Sequence, residues 1–286
     1  MHTILITGAT SGIGLAAARL LAANGFRILG VGRSRANCEK AKSAICQETP
    51  DAVVAYFTAD LMQQREVNRI AAALTAYIEA NCGGKLYALI NNAGCARGYY
   101  TTTEDGYEQQ FALNYLAGFL LTYRLLPLLQ KADGRVLITG SRSHKGIKVH
   151  WNDIMLSHRY NPLTAYKQSK LCSTLFAKGL NDRYAACGVR AYVVDPGLVR
   201  TDIGKKGAGG LVHFVWSLRR LGGVRPEVPA KTYSFLCRQA NTPEGFYYYR
   251  CRDHAYSKQV TSENADRLFA HSERLCGISY GKGAVL

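Results

Sequence analysis

Short apolar segments alternate with segments of helical periodicity along almost the whole chain, and this alternation is the strongest constraint on its fold. Strands are predicted at residues 3–7, 26–31, 52–57, 86–90, 135–139 and 189–194, with a seventh near 245–249. Helices are predicted at residues 15–23, 37–48, 67–79, 108–129 and 165–186. Because strands that alternate with helices build parallel β–α–β units, we expect a doubly wound α/β fold whose parallel sheet of about seven strands has helices on both faces. No linker divides the 286 residues, so residues 1–286 are predicted to form a single domain.

The chain carries a formal net charge of +16, from 36 Lys and Arg against 20 Asp and Glu. Such a field attracts phosphates, nucleic acids and acidic lipid surfaces. The basic residues are spread along the sequence, with short clusters only at Lys205-Lys206 and Arg219-Arg220, and they follow no nucleic-acid-binding pattern. We interpret them as a solvated surface, expect no nucleic-acid partner, and leave weak association with a membrane surface open.

The nine cysteines are scattered and lack the spacing of metal ligands. They are predicted to be free thiols, which indicates a reducing compartment and a protein without a metal site. The sequence enters an apolar strand at Thr3 and contains no run of 18 apolar residues. Neither a targeting peptide nor a transmembrane helix is therefore expected, and the predicted location is the cytoplasm.

A glycine-rich loop, T-G-A-T-S-G-I-G at residues 7–14, lies between the first strand and the first helix. Glycines allow a tight turn and a close approach of the backbone to a phosphate, and the N-terminus of the following helix attracts a pyrophosphate. In this strand–loop–helix context the loop predicts nucleotide binding, with a purely structural turn as the alternative. The predicted contacts are Gly8, Ser11, Gly12, Ile13 and Gly14.

Arg33 follows the second strand, where a nucleotide cofactor with a free ribose 2′-hydroxyl usually meets an acidic side chain. A guanidinium can instead bind a 2′-phosphate and stack on adenine. The sequence therefore predicts NADP(H) rather than NAD(H). The alternatives are that Arg35 binds the phosphate, or that neither arginine does.

Tyr166 and Lys170 stand four residues apart in a predicted helix and therefore share one face. An ammonium beside a phenol stabilises the phenolate, so that such a tyrosine can exchange a proton near neutral pH. Taken alone, this spacing is common among surface pairs, and its meaning depends on the accompanying motifs.

These motifs together resemble those of the short-chain dehydrogenase/reductase family, over the whole chain and in the family's order. The accompanying motifs are Asp60-Leu61, Asn91-Asn92-Ala93-Gly94, Asn114, Ser141, and Pro196-Gly197 with Val199 and Thr201. Residues 143–147, 159–161 and 265–279 resemble the retinol dehydrogenase-like group of that family. The resemblance implies a Rossmann-type catalytic domain that interconverts a carbonyl and an alcohol by direct hydride transfer with NADP(H).

The resemblance also implies individual roles. Tyr166 would be the acid/base, Ser141 would hold the substrate oxygen, Lys170 would tune Tyr166 and hold the nicotinamide ribose, and Asn114 would fix a water of a proton relay. The other cofactor contacts would be Asp60 and Leu61 at the adenine, Asn91, Ala93 and Gly94 at the adenosine ribose, and Pro196, Gly197, Val199 and Thr201 at the carboxamide and pyrophosphate.

Two residues beside these motifs differ from the family's usual pattern. Gly140 replaces the first of two serines that usually follow the fifth strand, so Ser141 aligns with the catalytic serine and Ser143 is the alternative. Asp195 stands where relatives commonly have a neutral residue or a histidine, and the sequence does not indicate the consequence.

The family places a substrate lid at residues 202–229, where this chain has an apolar stretch at 211–218. An apolar lid favours a hydrophobic carbonyl that is retinal- or steroid-like, while a helix packed on the domain and a helix in contact with lipid are the alternatives. The resemblance also implies a homodimer or homotetramer. The rival functions are a non-catalytic NADP(H)-binding sensor or scaffold, and an epimerase or dehydratase, whose relatives favour another glycine spacing and a larger C-terminal domain.

Overall fold

The computed structural model describes residues 1–200 and 223–281, and within them eight strands form one sheet in the order β3-β2-β1-β4-β5-β6-β7-β8. All neighbouring pairs from β3 to β7 are parallel, and β8 pairs antiparallel with β7. The strands are β1 Thr3–Thr7, β2 Arg27–Gly32, β3 Val54–Thr58, β4 Ala88–Asn91, β5 Arg135–Thr139, β6 Arg190–Val194, β7 Tyr247–Tyr249 and β8 Arg252–Asp253. The seven predicted strands are confirmed, and the two-residue β8 adds an eighth.

Seven helices cover the sheet within the described part of the chain. They are α1 Gly12–Ala23, α2 Arg35–Glu48, α3 Gln64–Cys82, α4 Gln109–Gln130, α5 Pro162–Tyr184, α6 Glu227–Arg238 and α7 Ser262–Cys276. The first five confirm the predicted helices, whereas α6 and α7 were not predicted. Residues Ala112–Leu116 of α4 form a π-helical segment, a distortion that is frequent at functional sites.

The two faces of the sheet have separate cores, and β1 contributes to both. All five of its residues are buried. Leu5 packs with residues of α3, α4, α5 and α7, while Ile4 and Ile6 pack on the opposite face with residues of α1, α2 and α6. Burial on both faces explains why the strands are continuously apolar, and it confirms the doubly wound arrangement.

The order of the strands reverses between β1 and β4. From β1 the chain proceeds outward through β2 and β3, and β4 then pairs on the other side of β1. The loops that follow these two central strands therefore separate at the carboxyl edge of the sheet and leave a crevice. In open α/β sheets this is where ligands bind.

Helix α4 is long and apolar enough to cross a membrane by length and composition alone. However, 72% of its most apolar window is buried inside the protein. Leu120, Leu125 and Leu129 of this helix belong to the core of one sheet face. The burial identifies α4 as a core helix of the domain.

Residues 201–222 lie outside the described residues. They include Thr201, the two basic clusters, the apolar stretch 211–218 and most of the predicted lid 202–229. The residues on either side of 201–222 are described. Arg200 N donates to Val224 O at 2.9 Å and Val224 N donates to Leu198 O at 2.8 Å, and α6 begins at Glu227. The two ends of the segment therefore lie side by side.

Candidate active site

A cleft of about 480 Å³ lies at the carboxyl ends of the strands. The loops that follow β1 to β6 line it, together with α5. The predicted site residues on its walls are Gly8, Ser11, Gly12, Ile13, Arg33, Asp60, Leu61, Ala93, Gly94, Tyr166, Lys170, Pro196, Gly197 and Val199. Of the other predicted residues that the structure describes, Gly14, Asn91, Asn114 and Ser141 do not belong to this lining.

The glycine loop has the geometry that a phosphate requires. Gly8 and Gly12 have φ values of +66° and +53°, a left-handed conformation that favours glycine. A Cβ atom on Gly14 would lie 2.3 Å from the carbonyl oxygen of Gly8, so Gly14 lets α1 pack directly under the loop. The Ser11 side chain makes no capping bond, which leaves the first amide groups of α1 available to an anion. The loop therefore fits a pyrophosphate.

Asn92 connects the glycine loop to the loop after β4, a role that the sequence did not reveal. Its Nδ2 donates to Thr7 O at 3.0 Å, and its backbone N donates to Thr7 Oγ1 at 2.9 Å. The amide of Ala93 donates to the same hydroxyl at 3.0 Å. These bonds fix the separation of the two loops that face each other across the cleft.

Asn91 points away from the cleft. Its Nδ2 donates to Thr122 Oγ1 of α4 at 3.0 Å, and its side chain lines a small separate cavity beside Asn114. In this position Asn91 supports the floor of the site from beneath.

The far end of the cleft, after β2, carries Arg33. This side chain is exposed, while Arg35 is the first residue of α2 and does not line the cleft. Ser34 caps α2 by accepting from Asn37 N at 3.5 Å, which fixes where the loop ends and the helix begins. Asp60 and Leu61 lie on the adjoining wall, where Asp60 Oδ1 accepts from Met62 N at 3.1 Å.

Tyr166 and Lys170 lie on one face of α5, as predicted, with the Lys170 Nζ 5.9 Å from the centroid of the Tyr166 ring. Lys170 is 5% exposed, and its Nζ donates to Thr139 O at the end of β5 at 2.8 Å. Burial lowers the pKa of Lys170 to about 8, although Cys95 and Asp195 act in the opposite direction. Burial also raises the pKa of the Cys95 thiol to about 12, so that this group is neutral at pH 7.

Ser141 follows Gly140, which lines the cleft, and begins a single helical turn at Arg142–His144. Its Oγ accepts from the hydroxyl of Ser143 at 2.9 Å and from Ser143 N at 3.3 Å. Because both bonds use Ser141 as the acceptor, its own hydroxyl proton is free to donate to another group. The arrangement gives Ser143 a supporting position beside Ser141.

His144 holds the backbone of Ser141 in place. It is fully buried, and its Nε2 accepts from Ser257 N at 3.1 Å. An Nε2 that accepts leaves the proton on Nδ1, which then donates to Ser141 O at 2.7 Å. The ring also packs against that of Tyr247, with centroids 5.0 Å apart and an interplanar angle of 40°. The serine loop is thereby tied to β7 and to the segment before α7.

We expect His144→Ala to lower the free energy of unfolding by about 2–4 kcal/mol, because it leaves a cavity and removes the acceptor of the buried Ser257 amide, while Ser141 O keeps the bond from the backbone N of residue 144. Burial lowers the pKa of His144 below 6.5. Its contribution is therefore complete above pH 6.5 and declines as the pH falls toward the folded-state pKa. Urea denaturation at pH 5 and pH 8 measures both effects. The exposed His150 supplies a matched control in His150→Ala, and equal losses in the two variants would contradict the prediction.

Asn114 lies in the π-helical segment of α4, and its side chain connects three parts of the site. Its Nδ2 donates to Cys95 O at 3.0 Å and to Ser169 Oγ at 2.9 Å, and its Oδ1 accepts from Cys95 N at 2.7 Å. Its backbone carbonyl accepts from the hydroxyl of Ser173 at 3.0 Å. Asn114 thus couples α4, α5 and the loop after β4 directly behind the cleft.

The donors and spaces of this cleft fit a dinucleotide cofactor. The glycine-rich loop leads into the N-terminus of α1, the exposed Arg33 follows β2, and the buried Lys170 of α5 lines the same cleft. Across residues 1–200 and 223–281, no three His, Cys, Asp or Glu side chains are grouped so that they could hold a metal ion. All nine cysteines are free thiols.

Comparison with known proteins shows to which family the chain is similar. Residues 2–208 match the family described as short chain dehydrogenase. Human retinol dehydrogenase 13 is 33% identical over 96% of this chain and 85% of its own length, and mouse retinol dehydrogenase 12 is 34% identical over 97% and 87%. A solved structure from Mycobacterium paratuberculosis has a TM-score of 0.74 at 27% identity and covers 98% of this chain and 95% of its own.

The chain therefore belongs to the short-chain dehydrogenase family. Within that family it is retinol dehydrogenase-like, and it is an oxidoreductase that acts on CH–OH groups with a nicotinamide cofactor.

Proposed function

We propose that this oxidoreductase uses NADP(H) to interconvert a hydrophobic aldehyde or ketone and the corresponding alcohol. The observation that carries the proposal is that one cleft is lined by Tyr166 and Lys170, next to the end of β5, and by Arg33, which follows β2 on the other side of the central strands β1 and β4. Bound NADPH would supply the hydride for reduction of the carbonyl carbon. The proton must then come from the protein.

Tyr166 is the proton donor in this proposal. Its phenol gives a proton to the substrate oxygen during reduction and takes one back during oxidation. The Lys170 ammonium stabilises the resulting phenolate, and with a pKa of about 8 it is mostly charged at pH 7. The free hydroxyl proton of Ser141 donates to the same substrate oxygen and orients it.

A proton must also return to Tyr166 from solvent. We propose that Asn114 fixes a water in this relay, because Asn114 lies behind Lys170 and links α4 to the catalytic helix. Asn91 would support the nucleotide from beneath the cleft, and Thr201 would extend the contacts of Pro196, Gly197 and Val199.

The preference for NADP(H) rests on Arg33. This guanidinium occupies the position at which NAD-binding proteins usually present a carboxylate to the ribose 2′-hydroxyl. It lies in the cleft, whereas Arg35 does not. A 2′-phosphate would therefore meet a cation there, which favours NADP(H).

A hydrophobic substrate is favoured by the relatives and by the outer rim of the cleft. Several relatives are named retinol dehydrogenases, and a human relative that is 34% identical over 75% of this chain is named polyprenol dehydrogenase. Leu198 is 52% exposed between the cleft residues Gly197 and Val199. We further propose that the protein works in the cytoplasm as a homodimer or homotetramer, and that its association with a membrane surface is weak.

We expect the purified protein to oxidise NADPH, followed at 340 nm, in the presence of retinal, long-chain aldehydes or steroid ketones, and to turn over small polar carbonyls poorly. NADH, measured in parallel, should support much slower turnover. Tight NADPH binding with no turnover across the panel would instead indicate a non-catalytic sensor or scaffold.

A further inference from the structure

Asp195, the residue with no assigned role in the sequence, is buried at the centre of the candidate site. It directly follows β6, is 2% exposed, and its backbone N donates to Tyr248 O of β7 at 2.8 Å. Its Oδ1 accepts from the amide of Gly197 at 2.9 Å, and its Oδ2 pairs with Arg142 Nε at 3.4 Å. One carboxylate thus contacts both the loop after β6 and the loop that carries Ser141.

Within residues 1–200 and 223–281, titratable groups from four elements face Asp195. They are Arg142 and His144 of the serine loop, Lys170 of α5, Tyr233 of α6 and Tyr247 of β7. Burial raises the pKa of both tyrosines far above neutral, and it lowers the pKa of His144, so these three groups are uncharged at pH 7. Of these five groups, Arg142 and Lys170 are the cations at pH 7.

The two cations differ in their surroundings. The Arg142 side chain is 60% exposed, and its guanidinium lies 4.6 Å from the centroid of the Tyr249 ring. Lys170 is buried, and its Nζ donates to Thr139 O; Thr139 pairs in the sheet with Val194, the residue directly before Asp195, which places Lys170 beside Asp195. Solvent screens the charge of Arg142 well, whereas a buried ammonium depends strongly on any anion that it faces. Of the two described groups that raise the pKa of Lys170, Cys95 is neutral at pH 7, so the anion among them is Asp195.

We infer that Asp195 is a positioning residue of the proposed active site: its carboxylate balances the Lys170 ammonium electrostatically, while its bonds to Arg142 and Gly197 hold the serine loop and the cofactor loop in one arrangement. This inference rests on the proposed function, because it assigns Lys170 the role of a charged partner to Tyr166.

Asp195→Asn separates the electrostatic effect of the carboxylate on Lys170 from its hydrogen bond to the cofactor loop. Asparagine keeps an oxygen for the Gly197 amide and has nearly the same volume, but it removes the negative charge. The pKa of Lys170 should then fall by roughly one unit. We expect the alkaline limb of the pH profile of kcat to shift to lower pH by about one unit. As a result, kcat should be about tenfold lower at high pH and nearly unchanged at pH 6.

Arg142→Gln provides the opposite charge change. It frees Asp195 from its cationic partner, so the carboxylate acts more strongly on Lys170, and the alkaline limb should move to higher pH. The Arg142 side chain is largely exposed, so this variant does not unpack the core and keeps the inference testable if Asp195→Asn does not fold. Asp253→Asn serves as the charge control, because Asp253 is exposed and bonds to the amides of Phe246 and Tyr247 of the same region.

The experiment combines pH profiles of kcat with the pH dependence of the NADPH dissociation constant, measured by fluorescence. Opposite shifts in Asp195→Asn and Arg142→Gln, with no shift in Asp253→Asn, are expected in both measurements. A loss of kcat by the same factor at every pH, or shifts of the two variants in one direction, would overturn the inference. If the wild-type protein turns over no carbonyl, the proposed function fails, and the midpoint pH for NADPH binding still decides whether Asp195 acts on Lys170.

Discussion

Tyr166→Phe is expected to lower kcat by about 10²–10⁴-fold, because it removes the group that exchanges a proton with the substrate oxygen. The ring and its packing are retained, and the Lys170 bond to Thr139 does not involve the hydroxyl that is lost. The dissociation constant for NADPH should therefore change by less than about threefold. Stopped-flow measurement of turnover at 340 nm and fluorescence titration with NADPH check the two halves of this prediction separately.

The matched control is Tyr123→Phe. Tyr123 lies in the last third of α4, where its ring packs against Tyr280 far along the helix from Asn114. This variant loses the same atom and should keep kcat within about twofold. Near-normal turnover in Tyr166→Phe would rule out Tyr166 as the acid/base, whereas a loss of NADPH binding in that variant would assign it a structural role.

The sequence was sufficient to predict strands β1 to β7 and helices α1 to α5. Each of these elements is long enough for its apolar periodicity to be visible, and burial on both faces makes the strands continuously apolar. Strand β8 has two exposed residues, and the π-helical segment of α4 differs from an α-helix by only one added residue in the turn. Neither feature leaves a periodic pattern, so neither could be predicted.

The cleft residues were predictable for a related reason. Gly8, Arg33 and Tyr166 occur at fixed positions after strands or within helices, and the carboxyl ends of parallel strands bring them to one edge. The supporting contacts were not predictable, because they depend on neighbours distant in sequence. His144 bonds to Ser257, 113 positions away in the sequence. Asp195, which follows β6, contacts Arg142, which follows the neighbouring strand β5. The same reason explains Asn91, whose motif suggests a cofactor contact although its side chain bonds to α4.

Arg33→Ala is expected to raise the KM for NADPH by about 10- to 100-fold and to leave the KM for NADH nearly unchanged. Charge-assisted hydrogen bonds contribute roughly 1.5–3 kcal/mol each, and only NADPH carries the 2′-phosphate that accepts them. Because the 2′-phosphate lies at the opposite end of the cofactor from Tyr166, kcat at saturating NADPH should stay within about twofold. Initial rates at varied concentrations of each cofactor, at fixed ionic strength, give the four constants needed.

Arg35→Ala is the comparison that identifies the phosphate ligand. Both arginines are exposed and two residues apart, but only Arg33 lines the cleft, while Arg35 begins α2. The two variants lose the same charge from the same surface, so a general electrostatic effect would raise the KM for NADPH equally in both. A large increase in Arg33→Ala alone assigns the phosphate to Arg33. An increase confined to Arg35→Ala would transfer the role to Arg35, and unchanged discrimination between NADPH and NADH in both variants would mean that neither arginine selects the cofactor.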